Sequence, residues 1–392
     1  MSRRVLGPGA VLALAVLFGL VSAPGAPAGG AGPKADKPAL SFVFVGCNRV
    51  ASEDWDPKEN PSSANVPQLK QTFKDVAALD RTPELFFFTG DLVMNLEADD
   101  GTVLRKQLGA WADLYKKAPI KGKTTLVPFP GNHEMLMDVA AKKKDDKKHD
   151  EIEVPNKASV AVWKDWIKGS GFDTYATRAN GPKPGDSKDD NLVDDQSEMT
   201  YSFDAGSVHF VLINTDTISS VIDPDTKYPY AAWVPLHWVK KDVEVAQLNP
   251  KVSAIFLLGH KPIMVKPDHE EDAILNTPKY PLADSLQKLF KANNKVRAYL
   301  CAHEHEWDCA EFKHAPGVYQ VVAGNGGSPL KKKWLGGGYY GFSEIRVFES
   351  GTVALVNHRR PLPPAPQKYF EGTPVAPPAA KPDKAQVLFP GQ

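Results

Sequence analysis

Four short segments set metal-binding and acid–base residues immediately after apolar runs. Thr89-Gly90-Asp91 follows Leu85–Phe88, and Pro130-Gly131-Asn132-His133-Glu134 follows Thr125–Phe129. Gly259-His260-Lys261-Pro262 follows Ala254–Leu258, and Ala302-His303-Glu304-His305 follows Val296–Cys301. One carboxylate, one amide oxygen and several imidazoles form a mixed oxygen/nitrogen donor set suited to Zn, Mn or Fe. A cation held by such a set lowers the pKa of bound water and polarises a phosphoryl or carbonyl oxygen. A lone Gly-Asp or Gly-His is commonplace. The weight lies in four such segments, each at the end of an apolar run. His209, His237 and His269 lack that frame and read as structural.

The runs are continuous rather than alternating, the pattern of strands buried on both faces. Leu40–Gly46, Val208–Ile213 and Val318–Ala323 belong to the same class. Helical periodicity falls between several of them, over Gln68–Leu79, Val103–Lys116, Leu236–Gln247 and Leu282–Ala292. The whole is an α/β chain with helices covering a sheet, ending in a hairpin of Phe342–Phe348 and Thr352–Asn357. In an open α/β sheet, ligands sit beyond the carboxyl ends of the strands, where the four segments would converge.

Two regions break the pattern. Asp138–Thr200 is a polar insertion with the charge run Lys142–Lys148; only Ala158–Lys168 inside it reads as helix. The charge run is expected to be a solvated or mobile face, or the insertion a lid over the site. Pro361–Gln392 carries nine Pro in 32 residues and is expected to be a disordered tail.

Charges balance, with 47 Lys+Arg and 47 Asp+Glu, which excludes the basic footprint of a nucleic-acid or anionic-membrane binder. Three Cys cannot staple 392 residues, so apolar burial must supply the core. At the N-terminus, Arg3 and Arg4 precede the apolar stretch Ala10–Val21 and the A-x-A-like Ala26-Pro27-Ala28. Residues 1–28 read as a secretory signal peptide, 29–38 as a linker and 39–360 as the main domain. The expectation is a secreted or periplasmic protein with no membrane span after cleavage. That compartment permits a disulfide between Cys301 and Cys309. Oligomeric state is not legible.

The four segments and their order resemble the calcineurin-like metallophosphoesterase superfamily, over about Leu40 to Arg360. The resemblance implies a four-layer α-β-β-α sandwich, with two mixed sheets flanked by helices. It implies hydrolysis of a small-molecule phosphoric ester, monoester or diester. It implies that Asp91 bridges two metals, that Asn132, His260 and His303 complete the second site, and that His305 belongs to the first. It implies that His133 is a general acid for the leaving oxygen, supported by Glu134.

The first motif departs. Where the family has Gly-Asp-x-His, this chain has Gly46-Cys47-Asn48-Arg49, and Met94 replaces the second motif's second Asp. A Cys47 thiolate would bind Zn or Fe well but Mn poorly. Arg49 brings a fixed positive charge that would repel a second cation and clamp a phosphate oxygen. Two arrangements stay open: one firmly bound metal with Arg49 beside it, or two metals with Cys47 as ligand. A catalytically weak or inactive phosphoester-binding descendant is the alternative function. A purple-type acid phosphatase fits less well, because no Tyr stands at position 94.

Overall fold

The computed structural model describes residues 37–50, 66–140, 151–170, 172, 178–266, 272–330, 338–360 and 377–391. The expected signal peptide, the charge run Lys142–Lys148 and His269 lie outside the described residues.

In chain order the elements are β1 (Pro38–Val45), α1 (Val66–Ala77), β2 (Leu85–Thr89), α2 (Thr102–Lys116), β3 (Thr125–Phe129), the one-turn α3 (Asn132–Met135), β4 (Leu136–Ala140) and β5 (Glu151–Pro155). There follow α4 (Lys157–Gly169), β6 (Tyr201–Ala205), β7 (Val208–Ile213), α5 (Leu236–Leu248), β8 (Ala254–Gly259), α6 (Leu282–Ala292) and β9 (Val296–Cys301). The last are β10 (Trp307–Glu311), β11 (Tyr319–Ala323), β12 (Gly341–Phe348), β13 (Thr352–Arg359), β14 (Lys381–Pro382) and β15 (Gln386–Pro390).

One sheet runs β14-β13-β12-β1-β2-β3, with β15 also paired to β13; the other runs β10-β11-β9-β8-β7-β6. Both are mixed. β1, β2 and β3 are parallel neighbours, as are β7, β8, β9 and β11. The layers follow from which side chains meet. Phe42 lies 5.0 Å from Phe210 and 5.2 Å from Phe256, ring to ring, so the two sheets pack face to face. Each fully buried ring of this kind stabilises by about 1.5–3 kcal/mol.

The opposite faces are covered by helices. Val66, Leu69, Phe73 and Val76 recur at helical spacing on α1 and pack with Trp111 of α2 and Trp163 of α4 against the first sheet. Leu282, Leu286, Leu289 and Phe290 of α6, with Val239 and Val243 of α5, cover the second. The result is the α-β-β-α sandwich.

Two expectations need correction, and one region holds more structure than expected. The 138–200 insertion contains a hairpin, β4 with β5, and α4. Asn156 caps α4 by accepting from Ala158 N–H at 3.0 Å. Trp163 of α4 is fully buried, and Trp166 donates to the Leu108 carbonyl of α2. The hairpin and α4 are therefore packed onto the domain, while residues 183–186 of the same insertion are exposed; the charge run expected to be a solvated face lies outside the described residues. In the Pro-rich C-terminal segment, residues 377–391 are ordered against β13, with Leu388 buried. Pro is tolerated there because β14 and β15 are edge strands. Cys301 and Cys309 are both free. β11 lies between β9 and β10, pairing Val322 with Cys301 and Val321 with Cys309. Two strand spacings of about 4.8 Å exceed the reach of a disulfide. The thiols also face opposite layers, Cys301 the helices and Cys309 the inter-sheet core.

No described helix is long and apolar enough to cross a membrane.

Candidate metal centre

Parallel β1, β2 and β3 in one sheet and β8 and β9 in the other deliver their carboxyl ends to a common rim. The rims are stitched together: Gly46 N–H donates to the Ala323 carbonyl at 2.9 Å, and Gly326 N–H to the Gly46 carbonyl at 3.0 Å. The segment after β1 then lies along the one after β2, with Cys47 N–H bonded to Gly90 O and Arg49 N–H to Asp91 O. Cys47, Arg49, Asp91 and His303 all adopt left-handed backbone, with φ of 57°, 58°, 54° and 65°. Such strain concentrates where surrounding structure holds a functional geometry. Gly131 permits the closest approach: a Cβ there would sit 2.5 Å from Asp91 Oδ1.

Four polar atoms from four segments converge. His260 Nε2 lies 3.0 Å from Asp91 Oδ1 and 3.0 Å from Asn132 Oδ1. His303 Nδ1 lies 3.2 Å from Asn132 Oδ1 and 3.2 Å from His260 Nε2. The far side of each ligand is fixed by a donor bond elsewhere. His260 Nδ1–H donates to the Thr89 carbonyl at 2.7 Å. Asn132 Nδ2–H donates to Glu153 Oε2 at 2.9 Å. His303 Nε2 faces Asp272 Oδ1 at 3.4 Å. With those hydrogens turned outward, the inward atoms can present lone pairs to a cation, and the buried cluster needs positive charge at its centre; without a metal, a proton on His260 Nε2 drawn by Asp91 meets part of that need. The spacing suits ligands sharing one cation at about 2.0–2.2 Å, so the residues fit a transition metal. Outer carboxylates and carbonyls that orient ligating imidazoles are the usual supports of such a site.

The other half of the rim is different. Asp91 Oδ2, turned away from His260, accepts from Arg49 Nε at 3.0 Å. Cys47 Sγ, an Asp91 oxygen and a His260 nitrogen lie within 4.8 Å of one another. Cys47 Sγ also accepts from His303 N–H at 3.1 Å. Burial and the Asp91 charge push the Cys47 thiol well above its usual pKa. His305 sits on the same loop as His303, its Nδ1–H donating to the Pro329 carbonyl at 2.9 Å. Burial alone would raise Asp91, but His260, His133 and Arg49 hold it well below the usual carboxylate range.

His133 and Glu134 do not interact as the resemblance implies. The Glu134 carboxylate accepts from Asp91 N–H (3.0 Å), Val93 N–H (3.0 Å) and Gly131 N–H (2.7 Å). It is committed to backbone and does not hold a proton on His133. His133 Nδ1–H instead donates to the Met94 carbonyl at 2.7 Å, leaving Nε2 as the exchangeable nitrogen, 3.9 Å from Asp91 Oδ2. Burial and the Arg49 charge lower His133 to about 4, so the ring is neutral at pH 7.

Glu153 and Asp272 went unseen in the sequence. Each lies in a polar, acid-rich stretch with no apolar run before it, so neither carried a signal. Lys261 is a further buried neighbour, its ammonium 2.8 Å from Asp216 Oδ1. Trp163 and Trp233 are core residues, not part of the rim.

No curated protein matches the chain. Among solved structures, PhoD is similar at 12% identity, covering 92% of this chain and 73% of that one, with a TM-score of 0.50. A dimetal phosphatase from Danio rerio is similar at 10% identity, covering 82% of this chain and 96% of that one, with a TM-score of 0.47. The family model described as calcineurin-like phosphoesterase matches residues 62–307, well over half the sequence. That match takes in Asp91, the Asn132-His133-Glu134 turn, His260 and the His303/His305 loop, and the chain belongs to the calcineurin-like phosphoesterase family.

Proposed function

We propose that the protein hydrolyses small-molecule phosphoric esters, monoesters or diesters, with one firmly held transition metal and Arg49 in the place of a second. The observation that carries this reading is the convergence of Asp91, Asn132, His260 and His303 within 3.0–3.2 Å contacts, beside an Asp91 oxygen already paired with a guanidinium. A cation there would supply Lewis acidity to a phosphoryl oxygen and to the attacking water.

The chain's own residues do the rest. Arg49 is anchored through Nε, so its outer N–H groups remain to grip a phosphoryl oxygen and offset the charge that develops on it. His133 is held by Met94 with Nε2 toward the site, the atom that would carry a proton to the leaving oxygen. Because the ring is neutral at rest, that proton must arrive with substrate or water rather than be stored on the ring. Glu134 keeps the segments carrying Asp91 and Asn132 in register.

The test is metal analysis per folded chain, with turnover of an aryl phosphate monoester and diester across Zn, Mn and Fe. One tight equivalent and metal-dependent turnover are expected. Two equivalents, one of them lost in Cys47→Ala, would overturn the single-metal reading. The Arg49–Asp91 pair also favours a second reading, a phosphoester-binding protein without turnover. Ligand binding with no hydrolysis under any metal would select it. The expected leader over residues 1–28 extends the proposal to an exported protein, checked by the intact mass of the secreted chain.

A further inference from the structure

At the opposite end of the sheets from the metal centre lies a cavity of about 520 Å³. It is lined by Ser253 before β8, Asn294, Lys295 and Arg297 around the start of β9, Glu349–Gly351 in the β12–β13 turn, and Phe389 of β15. Arg297 is its centre. Ile255 pairs with Val296 and Phe256 with Ala298, so Arg297 is the extra residue of a β-bulge. Bulges re-aim side chains, and this one sends a guanidinium across to the other sheet, 3.7 Å from the Phe389 ring centroid. Phe389 adjoins a second irregularity, where Val353 pairs with Phe389 but Ala354 with Val387.

Arg297 is only 8% exposed, yet no carboxylate among the described residues pairs with it. Its Nη1 donates to the Asn294 carbonyl and its Nη2 to the Ser253 carbonyl at 3.2 Å, while the buried Nε–H has no partner. Burial with no compensating anion lowers its pKa to about 10. Carbonyl oxygens satisfy donors but do not neutralise a charge, and an uncompensated buried cation is costly. Lys295 adds a second positive charge at the wall, its ammonium 2.7 Å from the Asn249 carbonyl. Glu349, an exposed acid at the mouth, opposes this charge.

We propose that this cavity is a binding site for the phosphate or carboxylate head of a small organic anion, gripped by Arg297 and Lys295 and flanked by the Phe389 ring. The volume exceeds that of a bare oxyanion and falls within the range of small-ligand pockets, about 300–1,000 Å³. The proposal is independent of the chemistry at the metal centre.

Calorimetric titration of the full chain with inorganic phosphate, and separately with acetate, tests it. Arg297→Gln is expected to weaken one saturable site by at least about tenfold, the loss of a charge-assisted bond, while Asn132→Ala keeps that site. Arg297→Lys should fall between, since it retains charge but not the fork. Glu349→Gln should tighten binding. Saturation by phosphate alone assigns a phosphate head, and by acetate alone a carboxylate head; binding of neither overturns the proposal. So does a titration of Arg297→Gln identical to wild type. If Arg297→Gln does not fold, Lys295→Gln and Glu349→Gln decide, with affinity expected to fall in the first and rise in the second; no shift in either overturns the proposal.

Discussion

The two halves of the rim share Asp91 and treat it in opposite ways. On the His260 side, Oδ1 meets inward-facing lone pairs, and every ligand's outer face is tied by Thr89, Glu153 or Asp272. On the Arg49 side, Oδ2 meets a permanent cation on a left-handed segment, with a buried thiol where the family has a carboxylate. The first half asks for positive charge from outside, and the second brings its own. On the proposed single-metal reading, two side chains of one loop, Cys47 and Arg49, make the rim asymmetric while the strands that carry the rest keep their order.

The sharpest way to break this contrast is to remove a ligand from the first half. His260→Ala should abolish tight metal binding and lower any turnover by more than about 100-fold, beyond the ceiling typical of outer-shell changes, read by metal content and kcat/KM. His133→Gln should leave metal content intact and lower turnover by about 10²–10³, more for alkyl than for aryl esters, because a poor leaving oxygen needs the proton more. Glu153→Gln and Asp272→Asn should each cost about 10–100-fold in metal affinity, through loosened orientation of Asn132 and His303. Arg49→His should change stoichiometry rather than abolish function: a second equivalent is expected to bind, at lower affinity than the first.

The smallest effect concerns protons. Burial disfavours a charged His260, but Asp91 outweighs it, and in the metal-free protein His260 titrates above its ordinary value. The stability this pair contributes is fully present below about pH 6.5 and lost as pH rises through the raised value. The chelated protein should therefore lose Tm on going from pH 6 to pH 8 more steeply than Asp91→Asn. Metal binding near neutral pH should release a proton, read as a buffer-dependent calorimetric heat.

Much of this was legible beforehand. Buried strands announce themselves as continuous apolar runs, so β2, β3, β8 and β9 and the residues at their ends could be read directly. Glu153 and Asp272 could not, because an acid in a polar stretch looks the same whether it meets water or an imidazole. Cys301 and Cys309 misled because chain proximity hides sheet order: β11 joins later in sequence and inserts between their strands. β15 was masked by proline, whose composition argues for disorder while its geometry still permits an edge strand. The part Glu134 plays was misassigned because adjacency to His133 in sequence does not give its carboxylate a path to that ring.

The grip of Glu134 has a mechanical consequence. One carboxylate holding amides from the Asp91–Val93 segment and from Gly131 makes two loops a single rigid piece. A load on Asn132 therefore bears on Asp91 as well, and through Asp91 Oδ2 on the Arg49 guanidinium.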